Sequence, residues 1–120
     1  MPEASSDSRK NNSKARNTDL GEPISSLVHI LSQVSEIERV ILFGSRARGD
    51  HEERSDIDLA VDAPNMEIAK WDETCLLMAE NSKTLLAIDL IWLQRAPNRL
   101  VQRIQSEGVI VFERENQSIH

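Results

Sequence analysis

An α/β (α+β) fold, one small mixed β-sheet with packed helices, is predicted for this 120-residue sequence by three observations. Short runs rich in β-branched and aromatic residues stand at Arg39–Phe43, Asp56–Val61, within Thr84–Leu93 and at Val109–Phe112. Between them lie segments whose apolar residues recur three and four apart, the spacing of one helix face. The two patterns alternate along the chain as helix, strand, short helix, strand, helix, strand, helix, strand, with no internal repeat.

Each element has its own local reason. Residues 1–20 hold Ser, Asn, Lys and Arg with almost no large apolar side chains, so they are expected to form a disordered tail ahead of one domain over 21–120. Pro23 suits a first helical turn, and Ile24, Leu27, Val28 and Leu31 then share one face, leaving His29 at the surface. Arg39–Phe43 reads as a buried strand, Ser45–Arg48 as a helical turn stopped by Gly49, and 50–55 as a polar loop. Asp56–Val61 alternates acidic and apolar residues at the period of a strand. Asn65 is expected to cap a helix running to about Glu80, with Ile68, Trp71, Cys75 and Met78 as its apolar stripe. Thr84–Leu93 is the longest apolar run and reads as buried, with Asp89 inside it. Pro97 opens a last helix with Leu100, Val101 and Ile104 inward, Gly108 ends it, and Val109–Phe112 closes the sheet.

Composition removes several classes of function. The net charge is −6 and the pI about 5.0. Nucleic-acid binders take most of their affinity from Lys and Arg on phosphates, and the only basic cluster is Arg46, Arg48 and Arg54, so DNA or RNA is disfavoured as the main ligand. The lone Cys75 excludes an internal disulfide and a cysteine-rich zinc site, and reads as a small buried hydrophobe. The N-terminus lacks the apolar stretch of a signal peptide and no run is long enough to span a bilayer, so a cytoplasmic protein without membrane contact is expected.

The residues that carry chemistry are three aspartates and a glycine turn. Asp56 and Asp58 leave the same face of a strand, roughly 7 Å apart at the backbone. Asp89 sits in an apolar run where an unpaired carboxylate would cost several kcal/mol, so a bound cation is one natural compensation. A pairing with Arg95 or a place at the sheet's edge are the alternatives. Three carboxylates suit Mg²⁺, and two such ions can serve both ends of a phosphoryl transfer. Gly44 lets the backbone approach a phosphate, Ser45 adds a hydroxyl at a helix start, and Arg46 and Arg48 can add positive charge toward a triphosphate.

Taken together, GSRARGDHEERSDIDLAV resembles the signature of the DNA polymerase β nucleotidyltransferase superfamily: Gly-Ser, ten residues, then Asp-x-Asp. The preceding ILFG, the later AIDLIWL and the closing RLVQRIQSEGVIVFE fit the same pattern. The resemblance spans about Ile24 to Glu115 and lies nearest the minimal nucleotidyltransferases, or MNT proteins, often paired with HEPN-domain toxins. It implies that Gly44 and Ser45 hold the triphosphate of ATP, Asp56 and Asp58 two Mg²⁺ ions, and that Asp89 assists them and accepts the acceptor's proton. His51 departs from the small residue common at that loop position.

The resemblance also implies a function: an antitoxin that transfers AMP from ATP to a HEPN ribonuclease and silences it. A single small domain offers one wall of an active site, which favours a protein partner over an aminoglycoside-like small molecule. A contact-only module that masks a toxin is the reading from another class. The tail's composition yields a first prediction. Deleting residues 1–20 should leave nucleotide transfer and melting temperature nearly unchanged, and a melting temperature lower by several degrees would place that segment in the core.

Overall fold

The computed structural model describes residues 21–115, and the tail expected over 1–20 lies outside them. In chain order the elements are α1 (Ile24–Ser32), β1 (Arg39–Phe43), α2 (Ser45–Arg48), β2 (Ile57–Asp62), α3 (Ile68–Asn81), β3 (Ile88–Trp92), a 3-10 turn (Leu93–Arg95), α4 (Asn98–Glu107) and β4 (Val109–Glu113). The sheet order is β3-β2-β1-β4. β1 pairs antiparallel with both β2 and β4, while β2 and β3 run parallel, so the sheet is mixed as expected.

Strand alternation sorts side chains to two faces. Ile57, Leu59 and Val61 of β2 join Leu27, Leu31 and Met78 in a core beneath α1 and α3. Ala60 turns the other way, into a smaller core with Ile41, Phe43, Leu93 and Ile104 under α4. Asp58 has the same parity as Ala60 and therefore stands on the α4 face. Ile24, Leu27, Val28 and Leu31 are the buried residues of α1, as their spacing predicts. The Arg114 guanidinium donates to the carbonyls of Ser32, Val34 and Ile37, fastening the turn between α1 and β1 to the end of β4. Arg39 and Asp62, direct partners across β1 and β2, close the sheet with a 2.7 Å ion pair. Among the described residues no helix is long and apolar enough to cross a membrane.

Three local expectations change. Asn65 does not cap α3; Glu67 occupies that position, without a side-chain cap, and the helix begins at Ile68. The face of α3 that reaches the core is set by Thr74 and Met78, with Trp71 and Cys75 half-buried and Ile68 54% exposed. Thr74 tolerates burial because its hydroxyl donates to the Lys70 carbonyl at 2.8 Å, so no polar atom is stranded. The apolar run from Thr84 is not buried throughout, for β3 is an edge strand. Leu85 stands free in solvent at 102% relative exposure, and Asp89 is itself exposed.

The centre of the sheet carries the fold's stability. Leu59 is wholly buried on a central strand, so Leu59→Ala should cost about 2–5 kcal/mol by lost transfer energy and a residual cavity. Denaturant melts check this, and a cost below about 1 kcal/mol would contradict the packing described.

Candidate active site

The site is assembled by three backbone facts. The parallel register of β2 and β3 makes Asp58 the direct partner of Asp89, with strands about 4.8 Å apart. Antiparallel pairing of β1 with β2 places Phe43 opposite Asp58, so the chain leaves β1 at Gly44 immediately beside that carboxylate. Asp56, two residues before Asp58, lies on the same side at the mouth of β2.

Gly44 is required by both conformation and contact. Its φ of 78° and ψ of −157° belong to a region essentially reserved for glycine. A Cβ built there would fall on the Asp58 carboxylate, 3.1 Å from its Cγ. From this turn α2 starts at Ser45, leaving the N–H groups of Ser45 and Arg46 without intrahelical partners. Gly49, with φ 86°, ends α2 in the left-handed conformation.

The electrostatics follow from the crowding. Burial first, then the charges of Asp89 and Asp56, push the Asp58 carboxyl above the usual carboxylate range. Arg103 and Arg48 pull it back down, so both guanidinium groups are near enough to act on the site. They are held there by Glu107, which accepts from Arg103 Nε at 2.8 Å and from Arg48 Nη1 at 3.2 Å. The bond from Arg103 is the main reason the Glu107 carboxyl lies below its ordinary value.

Each predicted residue can now be placed. Asp56, Asp58, Asp89, Gly44 and Ser45 gather at one end of the sheet, on the α4 face. Arg48 lies beside them, tied to Asp50 and Glu107. Arg46, expected at the triphosphate, instead turns its guanidinium into the loop, donating to the carbonyls of Ser55 and Glu53 at 3.0–3.2 Å. It shapes the loop that delivers Asp56. Asp89 is not the buried carboxylate its apolar surroundings predict, and its place in the site comes from register. Arg103 and Glu107 escaped the sequence reading; the signal for them is their i, i+4 spacing on the last helix.

The donor set is of the kind that suits a hard cation, since all three groups are carboxylates on one surface. Among the described residues no group of three or more His, Cys, Asp or Glu side chains is drawn close enough to hold a metal ion as it stands. A hollow of about 750 Å³ lies elsewhere, between the start of α1 and the end of α3 near Pro23, Leu27 and Thr84. It carries none of these groups. Asp56 and Asp89 are exposed at the candidate site, while Asp58 is half-buried between them.

This architecture is a nucleotidyltransferase fold, and the class of protein it defines is a nucleotidyltransferase. The polymerase beta nucleotidyltransferase family model matches residues 25–117, and the chain belongs to that family. A Methanocaldococcus jannaschii protein, provisionally named a protein adenylyltransferase, is 29% identical over 79 residues, covering 63% of this chain and 80% of that protein. A crystal structure of a toxin–antitoxin with AMP-PNP superposes with a TM-score of 0.57 at 26% identity, over 74% of this chain and 72% of that one. The structure of a tri-AMPylated Shewanella oneidensis HEPN toxin in complex with MNT antitoxin shares the fold at 21% identity, with a TM-score of 0.53 over 85% of this chain and 73% of that one.

Two predictions follow from the crowding at Asp58. Gly44→Ala should lower stability by about 1–3 kcal/mol and abolish transfer, because the new methyl displaces the Asp58 carboxylate; thermal melts and an activity assay check both. For Asp58→Asn the sign is opposite. An aspartate whose folded pKa is raised destabilises the fold as pH climbs from its ordinary 3.8 through the raised value, and the penalty is complete above that. In metal-free buffer the Asn variant should therefore melt higher than wild type near neutral pH, with the gap closing below about pH 4. A lower melting temperature at pH 7 would assign Asp58 a structural role.

Proposed function

We propose that this nucleotidyltransferase acts in a toxin–antitoxin pair, moving AMP from ATP to a tyrosine hydroxyl of a HEPN-domain ribonuclease and so neutralising it. The observation that carries the reading is the register pair Asp58–Asp89 set against Gly44: two carboxylates and a phosphate-compatible turn within one strand spacing. The names of the relatives support the choice of ATP and of a protein acceptor.

The chemistry assigned to these residues is simple in outline. Gly44 and the N–H groups opening α2 cradle the triphosphate, with the Ser45 hydroxyl as a further donor. Arg48 and Arg103, close enough to act on Asp58, offset its charge. Asp56 and Asp58, with Asp89, would hold Mg²⁺, which when bound neutralises the triphosphate and the departing pyrophosphate. Asp89, exposed at the rim, takes the proton of the acceptor hydroxyl as its oxygen bonds to the α-phosphorus. The bond from that phosphorus to the bridging oxygen breaks, and pyrophosphate leaves. A phenol suits this step, since its pKa of about 10 asks less of Asp89 than an alcohol would.

The chain has no tyrosine of its own, so modification should appear only in trans. Incubation with Mg²⁺, ATP and a purified HEPN-domain ribonuclease, followed by intact-mass spectrometry of both proteins, tests this. Adenylate-sized additions are expected on a partner tyrosine and none on this chain, with none on either for Asp56→Asn. An unmodified partner inhibited equally by wild type and variant would replace transfer by masking through contact. A second prediction concerns Asp89→Asn: nucleotide affinity should persist while turnover falls about 10²–10⁴-fold. Unchanged turnover would remove Asp89 from proton transfer.

A further inference from the structure

We propose that the open edge of β3 is the docking strip for the acceptor polypeptide, which pairs with it as an added, extended strand and so brings its acceptor side chain to Asp89. The inference rests on the protein-acceptor reading above and assigns to it a surface and a mode of binding.

The sheet ends at β3. The bond from Ile57 N–H to the Ala87 carbonyl, 2.9 Å, sets the phase of the parallel ladder. In that phase the N–H groups of Asp89 and Ile91 face β2, while Ile88 and Leu90 turn both N–H and C=O outward. No described strand takes them up. Edges are ordinarily blunted by lysine, proline or a bulge, and Ile88–Trp92 has none of these. Its sole charge is Asp89. The other edge, β4, is separated from Asp58 by β1 and carries a register shift against it.

Two hollows flank this edge end to end. One, about 470 Å³, is lined by Cys75, Met78, Leu86 and Ile88; the next, about 430 Å³, by Ile68, Trp71, Ile91 and Leu100. Leu90 borders both; the first lies on the α3 side, and the second wraps the end of the strand edge, reaching Ile91 and Leu100 of the α4 face and the Arg95 side chain. Trp71 stacks on Trp92 at 5.3 Å, giving the second hollow a firm floor, and Ile68 at its rim is more than half exposed.

Strand addition uses both features at once, with main-chain bonds for affinity and pockets for alternate side chains. Side chains beside Leu90 would drop into the first hollow on the α3 side. Those between them would point to the α4 face, where Asp89 stands about 7 Å from Ile91. A polypeptide in this position therefore has alternate side chains anchored and the others delivered to the candidate proton acceptor. The occupant that fits is an extended, apolar segment flanked by neutral or basic residues, given the chain's charge of −6. A second copy fits less well, because edge-to-edge pairing over so short a strand would bring two acid-rich sites together.

Hydrogen exchange of the full chain, alone and with a purified HEPN-domain ribonuclease, tests the strip without requiring turnover. Amides of Ile88 and Leu90 should slow by about tenfold or more in the complex, while those of Asp89 and Ile91, already bonded to β2, change less. Cys75 is the sole cysteine, so a bulky maleimide there fills the first hollow at one defined point. The labelled chain, and separately Ile68→Glu, should raise KM for the protein acceptor about tenfold with nucleotide affinity unchanged. Unslowed edge amides in the presence of the partner overturn the proposal. So does protection that appears in the free chain and grows with its concentration, which would assign the edge to a second copy. Protected edge amides without any AMP transfer would leave the docking strip standing and remove the transfer reading instead.

Discussion

The organisation of this molecule depends on one arrangement: a carboxylate that burial first, and the aspartates beside it second, discourage from ionising. Asp58 sits on a central strand, beside Asp89 by register, near Asp56 by sequence, and under a glycine whose missing Cβ makes the room. Nothing in the hydrophobic packing requires three aspartates there. Ile57 and Leu59, on the opposite parity, supply the burial that holds β2 in place. The stability of one face thus supports an unfavourable charge arrangement on the other, the usual relation between a scaffold and a functional site.

The surrounding cations are placed with the same economy. Glu107 bridges Arg48 of α2 and Arg103 of α4, so two guanidinium groups from different elements are held at the rim. Arg46 is committed to loop carbonyls and fixes the approach to Asp56. Arg46 and Arg48, two residues apart, therefore perform different tasks, which only their partners distinguish.

Much of the fold was legible in the sequence because it is encoded locally. The α1 face, the β1 run, the Gly44-to-Gly49 turn and the closing α4–β4 unit follow from spacing and from glycine placement. What stayed hidden depends on pairing between distant segments. The run from Thr84 reads as a buried strand, and only the order of the sheet reveals β3 as an edge with Asp89 exposed. Asp89 was selected for a burial it does not have, yet the register sets it beside Asp58. Asn65 is a generic cap signal, but α3 begins at Ile68 with Glu67 at the cap position, and the buried Met66 lies ahead of it.

The central claim is that the three aspartates and the Gly44 turn form one cation and phosphate site. Paramagnetic broadening tests it most directly: Mn²⁺ titrated into isotope-labelled full chain with a non-hydrolysable ATP analogue, observed by NMR. The account predicts that the signals of Gly44, Ser45, Asp56, Asp58 and Asp89 broaden first and together, ahead of those around the large hollow near Leu27 and Thr84. Broadening that begins at that hollow, or that reaches Asp56 and Asp58 while sparing Asp89, would contradict it.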